Sequence, residues 1–311
     1  MPQPLKPPAL RPGDTVRVLS LSSPVEEERV KKGCTELERL GFNVKFDREE
    51  VLAQHGFFAG TPQARLDALK SAITESGTRA IFCTRGGYGS AYLLDCLNAV
   101  PGPPKIFCGF SDVTSLHAFF WQQFRWVTLY GPMLAAGLDH GAGSPKGYDR
   151  ESLVCALTES RHGWQIGLNG ESLLPGTADG ILLGGCLNLL EATLGTPWEL
   201  DTRGSLLVLE DRAMKPWQVD RALTHLRQAG KFREVTGVIL GDFPEGEPPT
   251  GTASVKDVAR RILEPLALPV VWGAPVGHTA RPMLTLPLGV RARLSADGEG
   301  KLEILEPACS A

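Results

Sequence analysis

The 311-residue sequence predicts an α/β fold, with an N-terminal, mainly parallel sheet flanked by helices and a C-terminal α/β or α+β domain. Two observations carry this reading. Short apolar runs of strand length alternate with segments whose apolar residues recur at helical spacing, the pattern of parallel strands joined by helical crossovers. The chain also has material for two domains at about 150 residues each. Hydrophobic residues at 42% and charged residues at 22% are those of an ordinary globular protein, which excludes disordered and fibrous architectures.

Taken in order, TVRVLSLS (15–22) reads as a strand, and Val30, Cys34 and Leu37 then fall on one helical face that Gly41 stops. NVKFD (43–47) is the next strand, and Thr61-Pro62 opens a helix with Leu66, Leu69 and Ile73 on one side. AIFCT (80–84) is a buried strand leading into the turn Arg85-Gly86-Gly87-Tyr88-Gly89 and a short helix through Leu93 and Leu94. KIFCGF (105–110) leads into a helix carrying Val113, Leu116 and Phe120. The periodicity weakens between 136 and 178, so the expected organisation is a domain over 1–150, a connection over 151–178 and a second domain over 179–311. That second half holds GILLGG, a helix over 187–194, the strand SLLVLE (205–210) and a helix opened by Pro216. VTGVILGDF (235–243), a helix through Val255, Val258 and Ile262, and strands near 269–272, 283–294 and 301–305 complete it.

A net charge of -3 supplies no basic stripe for a nucleic-acid backbone, so no nucleic-acid partner is expected. The opening MPQPLKPPALRPGDTVRVLS lacks the apolar core of an export signal, and no run approaches eighteen apolar residues, so neither export nor a membrane is expected. Seven cysteines without a Cys-x-x-Cys pair, set in runs such as Ile81-Phe82-Cys83, read as reduced cytoplasmic thiols used in the core.

Three segments put a reactive side chain just past an apolar strand, where α/β folds assemble sites. In Cys108-Gly109-Phe110-Ser111-Asp112-Val113 a strand turns into a helix with Ser111 at the corner, the geometry of a nucleophile elbow lacking its second glycine. The Asp112 amide there can face an oxyanion; alternatively, Ser111 is simply the helix N-cap. Glu210 ends SLLVLE, either to orient an imidazole or as a solvated strand end. His278 follows a strand at the turn Pro275-Val276-Gly277, either as a base or as surface decoration. His117, six residues after Ser111 on one helix, is displaced by about 9 Å and about 240°, so it is no partner for that serine. The run from Arg85 to Gly89 lacks both G-x-G-x-x-G and a P-loop Lys-Ser/Thr. Amides of Gly86 and Gly87 beside Ser111, completing an oxyanion hole or gripping a substrate carboxylate, suit it better than a dinucleotide.

The sequence resembles the LD-carboxypeptidases, the muramoyltetrapeptide carboxypeptidase family of serine peptidases, which includes the microcin C immunity peptidases. The resemblance spans almost the whole chain, through RPGDTVRVLSLSSP, FFAGTPQARLDAL, TRGGYGS, GFSDVTSLH, YGPML, GILLGGCLNLLEATLGTP, LLVLEDRAMKPWQVDR, GVILGDF and PVGHTARPMLTLPLGV. It implies a triad with Ser111 of GFSD as nucleophile, Glu210 of LED as orienting carboxylate and His278 of PVGHT as general base. It also implies no metal or cofactor, two domains facing each other across a groove, and a homodimer. The expected reaction removes the terminal D-alanine from a murein tetrapeptide in cytoplasmic peptidoglycan recycling. Cleavage of peptidyl or aminoacyl nucleotides, and a non-enzymatic two-lobed binder, are the alternatives. The chain departs from the family at Tyr92, where arginine is usual, at Gly184-Gly185-Cys186-Leu187, where the pattern is GGNL, and at Met214-Lys215-Pro216-Trp217. Trp217 is expected either to pack at the domain interface or to stack on a nucleobase. A hinge over 150–178 would bring the serine to the histidine.

Overall fold

Strands that run parallel and are covered on both faces are mostly apolar, and the inner strands of the first sheet are so apart from Thr15, Arg17, Thr78, Arg79 and Thr128. The computed structural model describes residues 3–97, 102–248 and 252–311. In it β1 (Thr15–Leu19), β2 (Asn43–Lys45), β3 (Thr78–Cys83), β4 (Ile106–Gly109) and β5 (Thr128–Tyr130) pair in parallel in the order β5-β4-β3-β1-β2. They are joined through α1 (Glu27–Arg39), α2 (Arg48–Val51), α3 (Pro62–Thr74) and α4 (Thr114–Phe124), and α5 (Arg150–Thr158) follows. Thr61 opens α3 by accepting the Ala64 amide at 3.2 Å, with Pro62 in the first turn, where its missing N–H costs nothing. The short helix expected at Leu93 and Leu94 is a 3-10 turn over Ser90–Cys96.

The second sheet contains β6 (Gln165–Gly167), β7 (Glu171–Leu174), β8 (Thr177–Cys186), β9 (Ser205–Glu210), β10 (Gly237–Leu240) and β11 (Val270–Trp272), with α6 (Leu187–Ala192), α7 (Pro216–Gln228) and α8 (Val255–Leu263) between them. β12 (Leu286–Leu288), β13 (Arg291–Ser295) and β14 (Lys301–Ile304) end the chain. The order is β6-β14-β13-β8-β9-β10-β11-β7, with β8 to β11 parallel and the flanking strands antiparallel.

Two expectations need correction. Residues 151–178, read as a connection, hold most of α5 and the two edge strands β6 and β7 of the second sheet. Their pattern is weak because β6 is exposed at two of its three residues and α5 spans only nine. The strand expected over 283–294 is two strands: β13 pairs with β8, but β12 returns to the first sheet, antiparallel to β5. Pro287 is tolerated there because β12 is an edge strand.

One core cluster therefore runs through both sheets, joining Val18, Phe82 and Leu129 to Leu206, Val208 and Ile239. A second lies between the outer face of the second sheet and α7 and α8. The carboxyl ends of β3, β4 and β5 meet those of β8 and β9, and the cleft between the sheets opens there.

Candidate active site

Ser111 sits at the corner between β4 and α4 with φ of 65°, a left-handed conformation that a non-glycine residue holds only when its surroundings fix it. The cap positions of the 3-10 turn and of α4 belong to Phe110 and Val113, so the N-cap reading does not describe it. A methyl group at Gly86 would lie 2.7 Å from Ser111 Oγ and 3.3 Å from the Asp112 amide nitrogen. Only glycine leaves that space open. The Asp112 carboxylate turns inward, 1% exposed, and accepts the Ser22 hydroxyl at 2.6 Å and the Ser90 amide at 2.8 Å. It thereby ties the loop bearing Gly86 and Gly87 to the elbow. Gly87, with φ of 112°, packs against Ser23, whose hydroxyl accepts the Tyr88 amide at 3.1 Å.

Glu210, fully buried at the end of β9, accepts both the backbone amide and Nδ1 of His278 on one oxygen, each at 2.8 Å. Nδ1 is the donor in that contact, which leaves Nε2 as the basic nitrogen of the neutral ring. Gly277 makes the approach possible: a Cβ there would come within 2.3 Å of the Glu210 carboxyl carbon, and its φ of 61° suits glycine. Burial pushes the Glu210 carboxyl up, but the imidazolium charge and the hydrogen bonds from His278 and Tyr130 outweigh it and hold the group below the ordinary carboxylate range. For His278, burial favours the neutral ring, yet the Glu210 charge and hydrogen bond prevail and raise it above 6.5. The Phe110 ring lies edge-on against the imidazole at 5.2 Å.

Ser111, Gly86, Gly87 and His278 line one cleft of about 420 Å³, together with Asn188, Asp211 and Arg212. Glu210 lies beneath it. A second compartment continues past His278 and Arg212 to Lys146, Glu245 and Thr279. Asp211, which burial pushes above the ordinary carboxylate range, accepts the Asn188 amide at 2.9 Å and so fixes the start of α6. Arg29 pairs with Asp139 at 2.7 Å, Arg212 pairs with Glu245 at 2.7 Å, and Arg85 reaches the Pro24 carbonyl at 3.3 Å.

Tyr130 was not anticipated. It ends β5, is wholly buried, donates its hydroxyl to the second Glu210 oxygen at 2.5 Å and accepts the Ser111 amide at 3.3 Å. The signal that exposed the other candidates, a polar side chain at or just past the end of an apolar strand, is also present in Val127-Thr128-Leu129-Tyr130. His117 is buried between Thr128 and the Gly109 carbonyl, away from the cleft lining, and burial lowers it to about 4. Trp217 neither packs at the interface nor lines the cleft: it is 59% exposed on α7 with Arg221 over its ring. Of the family departures, Cys186 lines the cleft, whereas Tyr92 belongs to an exposed aromatic cluster and Met214 packs on the second core.

Residues 16–131 match the LD-carboxypeptidase N-terminal domain, and residues 179–294 match the LD-carboxypeptidase C-terminal domain. A probable murein peptide carboxypeptidase of Bacillus subtilis is 34% identical, with 93% of this chain and 91% of that protein covered. A putative carboxypeptidase of Streptomyces coelicolor is 38% identical over 98% of both. Among solved structures, MccF in complex with glutamyl sulfamoyl guanosine superimposes with a TM-score of 0.87 at 25% identity, covering 99% of this chain and 100% of that one.

Proposed function

Because the chain belongs to the LD-carboxypeptidase family, a family of serine peptidases, we propose that it removes the terminal D-alanine from murein tetrapeptides, with Ser111, Glu210 and His278 as its catalytic residues. Ser111 Oγ attacks the carbonyl of the scissile bond as His278 Nε2 takes its proton. The imidazolium then gives that proton to the departing amine of D-alanine, and water repeats the sequence to release the shortened peptide. Glu210 keeps Nδ1 protonated and balances the cation. The amides of Asp112 and of Gly86 or Gly87 receive the oxyanion.

The observation that carries this reading is the Glu210 and His278 pair, joined at 2.8 Å, opening on the same cleft as a serine held in the left-handed region. Arg29, Arg85, Arg212 and Lys146 around the cleft support a substrate rich in carboxylates. Buried thiols at Cys83 and Cys108 fit a reducing compartment, and the proposed setting is cytoplasmic peptidoglycan recycling by a homodimer.

Incubation with L-Ala-D-Glu-meso-diaminopimelate-D-Ala followed by mass spectrometry tests the reading. The expected product is the tripeptide plus one alanine. An intact tetrapeptide alongside hydrolysis of an aminoacyl sulfamoyl nucleotide would assign the chain to nucleotide-peptide cleavage instead. No turnover of either, with tight binding of one, would make it a binder.

A further inference from the structure

The geometry points to Tyr130 as a positioning residue of this site, which fixes the nucleophile's backbone and the orienting carboxylate through one hydroxyl and removes the Ser111 amide from the oxyanion hole. The inference rests on the proposed roles of Ser111, Glu210 and His278. The hydroxyl has one proton. An ionised carboxylate can only accept and a backbone amide can only donate, so the proton goes to Glu210 Oε1 while the Ser111 N–H donates to the phenolic oxygen. Burial and then the Glu210 charge push the phenol far above its usual range, which keeps it a donor. The arrangement therefore has one polarity at every working pH.

Three consequences follow from that polarity. Glu210 has both oxygens committed, Oε2 to His278 and Oε1 to Tyr130, so the plane of its carboxylate is set from both sheets. Ser111 is held at φ of 65° by a hydrogen bond to its own amide, which helps fix a conformation that would otherwise relax. That same bond occupies the amide, leaving the Asp112 and glycine-loop amides as donors for a developing oxyanion. The other groups facing the hydroxyl are Thr114 on α4 and the Cys186 thiol on β8, and the neutral His117 ring lies with its centroid 5.6 Å from that of the Tyr130 ring.

Tyr130→Phe tests this, because it keeps the ring against Phe110 and His117 and deletes only the hydroxyl. With the tetrapeptide, kcat should fall about 10- to 100-fold while KM changes less than about threefold, the loss expected for a hydrogen bond to a charged group. The acid limb of kcat/KM should also move to higher pH, since the phenol dipole that opposes imidazolium formation is gone. A residue that merely packs would change the melting temperature and leave the limb in place. A kcat within about threefold of wild type, or an unmoved limb, overturns the proposal. Ser111→Ala is measured alongside: full activity in that variant defeats the triad itself, whereas an inert Ser111→Ala with an unaltered Tyr130→Phe defeats only the role of Tyr130. Should Tyr130→Phe fail to fold, the full chain made with 3-fluorotyrosine, a more acidic donor, replaces it. Its acid limb is expected at lower pH, and an unchanged limb again overturns the inference.

Discussion

In the proposed mechanism His278 has to lose its proton before it can accept one from Ser111, so its charge state sets the lower edge of the expected activity. Its pKa is raised above 6.5 because the Glu210 charge outweighs burial. The protonated, inactive ring therefore persists to higher pH than in a free histidine, and the acid limb of kcat/KM is expected above 6.5. Glu210→Gln removes the charge that raises it. That variant should move the limb to lower pH while kcat falls by about 10³- to 10⁴-fold, because the neutral amide also fails to select the Nδ1 tautomer. A pH-rate profile of both proteins checks it; a limb that stays in place would separate Glu210 from the base. Of the residues proposed for this chemistry, Ser111 and Glu210 are legible in sequence as polar side chains at or just past the ends of apolar strands, and His278 as the residue after a glycine turn. Tyr130 also closes an apolar strand, but its partners, the Ser111 amide and Glu210, come from distant parts of the chain and become neighbours only on folding.

At the scale of elements, what matters is how strand ends and turns approach one another. Gly86 needs no positive φ, yet a side chain there would intrude 2.7 Å from Ser111 Oγ. Gly86→Ala is therefore expected to lower kcat/KM by about 100-fold through a displaced nucleophile, with the melting temperature little changed. Steady-state kinetics beside a thermal melt would decide, and wild-type turnover would show that the loop does not crowd the serine. The strands that hold this corner were legible because β3, β4 and β9 are buried along nearly their whole length and read as continuous apolar runs. β6, and the separation of β12 from β13, were not. β6 is a three-residue edge strand, exposed at both ends, while β12 is fully buried but contains Pro287 and belongs to a sheet whose other strands lie more than 150 residues earlier.

The chain as a whole is tied together more closely than two lobes on a single hinge. It passes from the first sheet to the second after α5, returns as β12 and leaves again as β13, and one apolar core spans both sheets. A movement confined to 150–178 would have to break the β5 to β12 pairing or shear that core, so the hinge expected from sequence is not free to act alone. Calorimetry should accordingly show one unfolding transition with matching calorimetric and van't Hoff enthalpies. Two resolved transitions would show that the halves unfold separately. The same interlocking places Ser111 on one sheet and the Glu210 and His278 pair on the other, so in the proposed mechanism reactivity at Ser111 depends on the second half of the chain. Labelling with a fluorophosphonate, followed by intact mass and peptide mapping, measures this dependence directly. A single adduct on Ser111 is expected in the wild type, none in Ser111→Ala, and labelling slowed by at least about 100-fold in a folded His278→Ala. An adduct on another residue, or a His278→Ala variant labelled as fast as wild type, would contradict it.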